Sequence, residues 1–127
     1  MSPTVLVVED DADVRSLIEF SLRLDGVWTV QAAASVADAL VALEAGDGID
    51  IVLTDGQLGD GTSETVRAAA APRPVVLLSA WADGPSASRV PETGYAARMA
   101  KPFDPLALSA VLTAALEGAS GAPDGEG

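Results

Sequence analysis

Short apolar runs alternate along this chain with stretches in which apolar residues recur at helical spacing. Five runs predict β-strands, at residues 4–9, 27–33, 49–54, 75–79 and 95–100. Helices are predicted over residues 12–25, from Ser35 to Gly46, over 63–71 and from Asp104 onward. The continuous Ile-Val-Leu of the third run is typical of a strand in a parallel sheet covered on both faces. The alternation therefore predicts an α/β fold, a single doubly wound five-stranded parallel sheet with helices on both faces.

One segment departs from this alternation. Residues 83–93 occupy the place of the fourth helix, yet Pro85 and Pro91 flank them and only Ala87 and Val90 are apolar. Proline removes a backbone donor and interrupts helical geometry. The fourth helix is therefore predicted to be short or irregular.

Glycine-rich stretches mark a loop and the end of the chain. Residues 56–62 contain three glycines and are predicted to form a loop. Residues 118–127 are rich in glycine, alanine and acids, a composition that buries too little apolar surface to stay ordered. We predict one domain over residues 1–117 and a disordered acidic, glycine-rich tail over residues 118–127.

An excess of acidic residues limits the partners of the chain. Lysine and arginine total 7 against 19 acids, a formal net charge of -12. This charge repels phosphate backbones and anionic lipid, so we expect no binding to nucleic acid or to a membrane. The absence of cysteine excludes disulfides and thiol catalysis, and the absence of histidine places any phosphohistidine on another molecule. With no membrane-spanning run and no signal-peptide pattern, a cytoplasmic location is expected.

Polar groups follow four of the apolar runs at their carboxyl ends. They are Glu9, Asp10 and Asp11 after the first run, Asp55 after the third, Ser79 after the fourth and Lys101 after the fifth. In a parallel sheet these ends meet at one edge, where ligand crevices lie at a topological switch point. Lys101 is also the only lysine of the chain. The pattern favours a polar site at this edge.

The chemistry of the predicted site follows from its charges. Three carboxylates at one edge repel one another by roughly 1 to 4 kcal/mol per pair, and a hard cation such as Mg²⁺ suits an all-oxygen site. With a cation bound, Asp55 is able to attack a phosphorus atom in line. Lys101 and Ser79 would contact the phosphoryl oxygens, and Gly56 leaves room beside the backbone. These residues predict phosphoryl acceptance by Asp55.

The order of these motifs resembles one family closely. The stretches are Val8-Glu9-Asp10-Asp11, Leu53-Thr54-Asp55, Leu78-Ser79-Ala80 and Lys101-Pro102-Phe103. Together they look like the receiver domain of two-component response regulators, which has a flavodoxin-like fold, and the resemblance covers residues 4–117. Each motif alone is weak, but their order at the predicted strand ends is specific.

The resemblance implies roles for the site residues. Asp55 would be the phospho-acceptor, Asp10 and Asp55 would ligate Mg²⁺ with the Gln57 backbone carbonyl, and Glu9 would act mainly through bound water. The phosphoryl-binding residues it implies are Ser79, Lys101, Gly56 and Ala80, and its switch region comprises Ser79, Trp81 and Arg98.

The resemblance also implies partners. Such a domain assists its own phosphorylation from a histidine kinase or histidine phosphotransfer protein and is not otherwise an enzyme. It would signal to a downstream protein target through the face of the fourth helix, fifth strand and fifth helix. It would be a monomer or a weak dimer through that same face.

Two features depart from the family pattern. The loop after the acceptor is shorter, with Leu58-Gly59-Asp60-Gly61 in place of a Leu/Met-Pro step. Arg98 occupies the position of the switch aromatic, and Tyr95 lies too far upstream to replace it. Arg98 is interpreted either as an ionic latch or as an exposed arginine, and Trp81 either as a lid over the phosphoryl site or as an exposed loop residue.

Other functions remain open on the sequence alone. A phosphohydrolase of the haloacid-dehalogenase type would need a second carboxylate at position 57, where this chain has glutamine. A receiver-like binding domain that is not phosphorylated is disfavoured by Asp10, Asp55 and Lys101. The chain is expected to be a stand-alone signalling module or, alternatively, the receiver portion of a hybrid kinase or larger regulator.

Overall fold

A parallel β-sheet organises the molecule. A computed structural model describes residues 2–45, 48–79, 94–100 and 103–121. The sheet contains the strands β1 (Thr4–Val8), β2 (Thr29–Ala33), β3 (Ile51–Asp55), β6 (Val75–Ser79) and β7 (Ala97–Ala100). Their spatial order is β2-β1-β3-β6-β7, and every neighbouring pair is parallel. This order reverses direction between β1 and β3, so the switch point of the doubly wound fold lies there.

A small hairpin follows β3. Its strands are β4 (Gln57–Leu58) and β5 (Gly61–Thr62), which pair antiparallel. Residues 56–62 were predicted from their glycines to form a loop, but the structure shows a hairpin within this range. The side chain of Leu58 is buried in the core, and this burial anchors the hairpin in a way that the local glycine content does not reveal.

Four helices lie within the described part of the chain. They are α1 (Ala12–Leu24), α2 (Val36–Glu44), α3 (Ser63–Ala70) and α4 (Leu108–Gly121). Side-chain oxygens of Asp11, Ser35 and Thr62 accept hydrogen bonds from the first turns of α1, α2 and α3. A 3-10 turn, Pro105–Ala107, precedes α4 and is capped by Asp104 as the sequence predicts.

The helices cover both faces of the sheet. Alternate residues of β1 divide between two apolar clusters, with Val5 and Val7 on one face and Leu6 and Val8 on the other. Helices α1 and α4 supply side chains to the first cluster, and α2 and α3 supply them to the second. This burial on both faces explains why the third predicted strand shows no apolar–polar alternation. The predicted α/β architecture is confirmed.

Several element bounds differ from the prediction. Strands β2 and β7 begin at Thr29 and Ala97, two residues later than expected, and α4 continues to Gly121, past the expected domain end at residue 117. Residues 83–93, where a short or irregular helix was predicted, lie outside the described residues, as do residues 122–127 of the predicted tail. The prediction for residues 83–93 therefore stays a prediction. Among the described helices, none has the combination of length and apolar character needed to cross a membrane.

Candidate functional site

The structure brings three acidic side chains together at the carboxyl edge of the sheet. Glu9 directly follows β1, and Asp55 is the last residue of β3. These strands are neighbours, with Val8 paired to Thr54, so their ends lie side by side at the switch point. One carboxylate oxygen from each of Glu9, Asp10 and Asp55 lies within 4.8 Å of the other two. The acidic cluster expected from the sequence is therefore present.

Local hydrogen bonds orient two of these carboxylates. Glu9 is 1% exposed, and its Oε2 accepts from the backbone N–H of Asp11 over 3.1 Å. Asp55 is 9% exposed, and its Oδ1 accepts from the backbone N–H of Gly56 over 2.9 Å. Asp10, in contrast, is exposed. The cluster thus has two carboxylates held against the protein and one that faces solvent.

The donor set of the acidic cluster fits a hard divalent cation. All three groups are carboxylates, and Mg²⁺ prefers one or two carboxylates with the remaining positions taken by water or phosphate oxygens. At separations near 5 Å each pair of charges costs about 1 to 3 kcal/mol, depending on the effective dielectric. A cation bound at the cluster would offset this repulsion. The exposure of Asp10 leaves one side of the cluster accessible to a cation and to a phosphoryl donor.

The backbone of Gln57 has an orientation compatible with its predicted role. Gly56 C=O accepts from the Ser63 N–H over 3.0 Å, and Gln57 lies opposite Thr62 in the next pair of the ladder. Hydrogen-bonded and non-hydrogen-bonded pairs alternate in an antiparallel ladder. The Gln57 carbonyl is therefore directed away from β5. Its role as a metal ligand stays a prediction.

The hairpin lies against the acidic cluster at its tip. A Cβ placed on Gly59 would lie 3.7 Å from Asp10 Oδ2, and a Cβ placed on Gly61 would lie 3.3 Å from Val36 Cγ2. Between these glycines, the carboxylate of Asp60 accepts from the backbone N–H groups of Val36 and Ala37, over 2.8 and 3.1 Å. These two bonds hold the pKa of Asp60 below its usual value. The hairpin is thus hydrogen-bonded to α2 on one side and passes close to Asp10 on the other.

A basic residue also contacts the site through the backbone. Arg15 of α1 is half-buried, and its Nη1 donates to the carbonyl oxygen of Glu9 over 2.9 Å. The contact holds the Arg15 side chain on the backbone of a residue that contributes one carboxylate to the cluster.

Of the remaining predicted site residues, the structure describes the backbone of Ser79 but not Lys101, Ala80 or Trp81. Ser79 ends β6 and is paired in register with Ala100, while Leu78 is paired with both Asp55 and Met99. The backbone of Ser79 therefore reaches the same edge of the sheet as Asp55. Lys101, Ala80 and Trp81 lie outside the described residues, so their predicted roles stay predictions.

Arg98 and Tyr95 lie on or before the edge strand β7. Arg98 is half-buried and paired in register with Leu77. Tyr95 is half-buried, and its hydroxyl lies 2.6 Å from Ser63 Oγ and 2.6 Å from Glu64 Oε2, to which it donates. Arg67 adds bonds of 3.1 and 3.3 Å to the same Glu64 carboxylate, and its guanidinium lies 5.9 Å from the tyrosine ring centroid. The tyrosine joins the start of α3 to the segment that enters β7.

This network changes the acidity of its members. Burial and the hydrogen bond to Glu64 raise the pKa of Tyr95 to about 12. The Arg67 guanidinium and the Tyr95 hydroxyl hold the pKa of Glu64 below its usual value. Sequence reasoning missed the network because Tyr95 and Ser63 are 32 positions apart, and no local pattern marks such a pair.

Comparisons with known proteins agree with this geometry. The family model of the response regulator receiver domain matches residues 5–113. The C4-dicarboxylate transport transcriptional regulatory protein DctD of Rhizobium meliloti (strain 1021) is 33% identical over 106 residues, which is 80% of this chain and 23% of that protein. This chain therefore spans less than a quarter of that relative.

Two solved structures share the fold. A CheY-like response regulator receiver domain protein from Methanospirillum hungatei JF-1 has a TM-score of 0.81 at 21% identity, covering 94% of this chain and 98% of that one. A response regulator receiver domain protein from Clostridium thermocellum has a TM-score of 0.78 at 24% identity, covering 91% and 94%. At these identities the likeness supports the fold alone. Because the family model matches most of the sequence, and the sheet and its acidic edge agree with it, this chain belongs to the response regulator receiver domains of two-component signalling.

Proposed function

We propose that this receiver domain accepts a phosphoryl group on Asp55 from a phosphohistidine of a histidine kinase or histidine phosphotransfer protein, with Mg²⁺ as cofactor. The observation that carries the proposal is the convergence of Glu9, Asp10 and Asp55 within 4.8 Å at the switch point of the sheet. These 127 residues contain no histidine, so the donor imidazole lies outside this domain.

The residues of the acidic cluster have two roles in the proposed phosphoryl transfer, cation binding and nucleophilic attack. Asp10 and Asp55, with the Gln57 carbonyl, would hold the cation directly, and Glu9 would act mainly through bound water. The cation, when bound, neutralises charge on the phosphoryl oxygens. An Asp55 carboxylate oxygen attacks phosphorus in line while the P–N bond breaks, and its electron pair leaves with the imidazole nitrogen. The Gly56 N–H fixes the orientation of the attacking carboxylate through Oδ1.

Ser79 and Lys101 complete the proposed phosphoryl site. Ser79 is the last residue of β6 and is paired with Ala100, the last residue of β7, and Lys101 is the next residue in the sequence. Both strands end at the edge where Asp55 lies. We assign the Ser79 hydroxyl and the Lys101 ammonium to the phosphoryl oxygens, where charge-assisted hydrogen bonds are strong. Gly56 and Ala80 are assigned to the backbone positions beside the group.

Labelling by a small phosphodonor tests the proposal. Incubation of the protein with phosphoramidate and Mg²⁺ is expected to add one phosphoryl group, seen by intact mass, and peptide mapping should locate it on Asp55. Because the cation offsets the charge at the site, excess chelator should slow labelling by about 100-fold or more. Labelling that is as fast with chelator, or that maps to another residue, would contradict the assignment.

An apolar stripe on α1 supports a protein as the natural donor. Leu17, Phe20 and Leu24 are 45%, 62% and 66% exposed and follow one another at helical spacing. Helix α1 begins at the acidic cluster, because its cap Asp11 directly follows Asp10. We assign this stripe to the docking of the phosphohistidine partner, and the output to protein–protein contacts with a downstream target.

Replacing Phe20 with alanine is expected to separate the two kinds of donor. The kcat/KM for transfer from the kinase that labels the wild type fastest, in a profile of the host's histidine kinases, should fall about tenfold. The rate with phosphoramidate should stay unchanged, because a small donor needs no docking surface. Val41→Ala is the matched control, since Val41 is 67% exposed on α2. If the transfer rate falls equally with both donors, or does not fall with the kinase, the stripe is not the docking surface.

A further inference from the structure

The side chain of Asp60 joins two elements that meet at the phosphorylation site. Its Oδ1 and Oδ2 accept from the backbone N–H groups of Val36 and Ala37, the first two residues of α2. The third N–H of this helix, that of Asp38, is bonded by its own cap Ser35 over 3.0 Å. Helix α2 is therefore capped partly from within and partly by the hairpin.

This contact fixes the hairpin where it passes the acidic cluster. Asp60 lies in the two-residue turn between β4 and β5, next to Gly59, whose Cβ position is 3.7 Å from Asp10 Oδ2. Three residues earlier, Gln57 presents the carbonyl assigned to the cation. Because the turn has only two residues, a shift of Asp60 moves both of these positions.

We infer that Asp60 is a positioning residue for phosphoryl transfer: by holding the hairpin on the N-terminus of α2, it sets the Gln57 carbonyl and the approach to Asp10. This inference rests on the proposed function. Asp60 touches neither the cation nor the phosphoryl group and acts through the hairpin. Its carboxylate also lies at the helix end where negative charge is favourable.

Other contacts keep the hairpin folded without Asp60, so the positioning role can be tested without unfolding the domain. Leu58 is 7% exposed in the core, and Gly61 packs closely on Val36, so the hairpin keeps two anchors without Asp60. Asp60 itself is exposed. Its removal should therefore loosen the hairpin without unfolding the domain, and the effect should concentrate on the metal site.

Two variants separate the effect of the hairpin's position on the metal site from the effect of the stability of α2. Asp60→Ala removes both hairpin-to-helix bonds, whereas Ser35→Ala removes the helix's own cap and leaves those bonds in place. We expect Asp60→Ala to weaken Mg²⁺ binding, measured by calorimetry without phosphodonor, by about tenfold, because a ligand that is no longer held in place binds the cation less tightly. Phosphoramidate labelling should slow in parallel. Ser35→Ala should lower the Tm while leaving Mg²⁺ affinity and labelling rate at wild-type values.

Asp60→Asn gives a second, isosteric variant. Its single carbonyl oxygen replaces one of the two bonds, so its Mg²⁺ affinity should fall between those of the wild type and Asp60→Ala. Wild-type affinity and labelling in both Asp60 variants, or an equal loss in Ser35→Ala, would overturn the positioning role and leave the proposed function standing. A wild-type protein that neither binds Mg²⁺ nor is labelled on Asp55 would instead overturn the proposed function, and this inference with it.

Discussion

Replacing Asp55 with asparagine is expected to reduce phosphoramidate labelling to below about one-thousandth of the wild-type rate, because the amide that replaces the carboxylate is not a nucleophile. The fold should survive, since asparagine has nearly the same volume and its carbonyl oxygen can still accept from the Gly56 N–H. Intact mass after incubation with phosphoramidate and Mg²⁺ measures the effect, and circular dichroism checks the fold.

A second acidic variant serves as the control for this result. Asp38 is an exposed aspartate on α2, outside the acidic cluster, so Asp38→Asn changes the net charge equally. That variant should be labelled at the wild-type rate. Comparable labelling of the Asp55→Asn protein would show that the acceptor is elsewhere, with Asp10 and Asp11 as the first residues to map.

Replacing Asp10 with asparagine is expected to weaken Mg²⁺ binding and to slow labelling by about 100-fold. One of three carboxylates is lost, so the cation keeps fewer anionic ligands while Asp55 remains as nucleophile. The metal-free protein should at the same time be slightly more stable, because the solvent-screened repulsion of the exposed Asp10 with its two neighbours disappears. Calorimetric Mg²⁺ titration and chemical unfolding with chelator present measure the two effects.

Weaker Mg²⁺ binding together with higher metal-free stability distinguishes a metal ligand from a residue that only stabilises the end of a helix. Asp13 is an exposed acid in the first turn of α1 but not a member of the acidic cluster. Asp13→Asn should keep Mg²⁺ affinity and should lose up to about 1 kcal/mol of stability, since it removes a favourable charge from a helix N-terminus. If Asp10→Asn behaves like Asp13→Asn in both measurements, Asp10 is a helix-end residue and not a ligand.

The sheet and the acidic cluster were predictable because their causes are local. Apolar runs of strand length, and the polar groups that follow them, can be recognised in the sequence itself. Parallel pairing of the strands then brings their carboxyl ends to one edge of the sheet. Glu9 and Asp55 come together for this reason. The same reasoning extends to Ser79 and Lys101, although Lys101 lies outside the described residues and its position stays a prediction.

The contacts around the acidic cluster were not predictable because they join distant parts of the chain. Asp60 bonds to an N–H group 24 positions away, and the glycines beside it suggest only a loop. The burial of Leu58, which turns that loop into a hairpin, depends on the cluster of side chains from β1, α2 and α3 that receives it. Tyr95 likewise contacts Ser63, which is 32 positions away in the sequence. The sequence showed only that Tyr95 does not occupy the position of the family's switch aromatic, and it gave no sign of this contact.

The order of the strands has a consequence for how the chain folds. Because β1 pairs with both β2 and β3, these three strands form a continuous half-sheet to which β6 and β7 add on one side only. During synthesis the N-terminal part of a chain is available to fold first. Glu9, Asp10 and Asp55 all belong to this half, so their mutual repulsion opposes the pairing of β1 with β3 before β6 has joined. Cations that screen these acids therefore act on the rate of early folding as well as on the finished site.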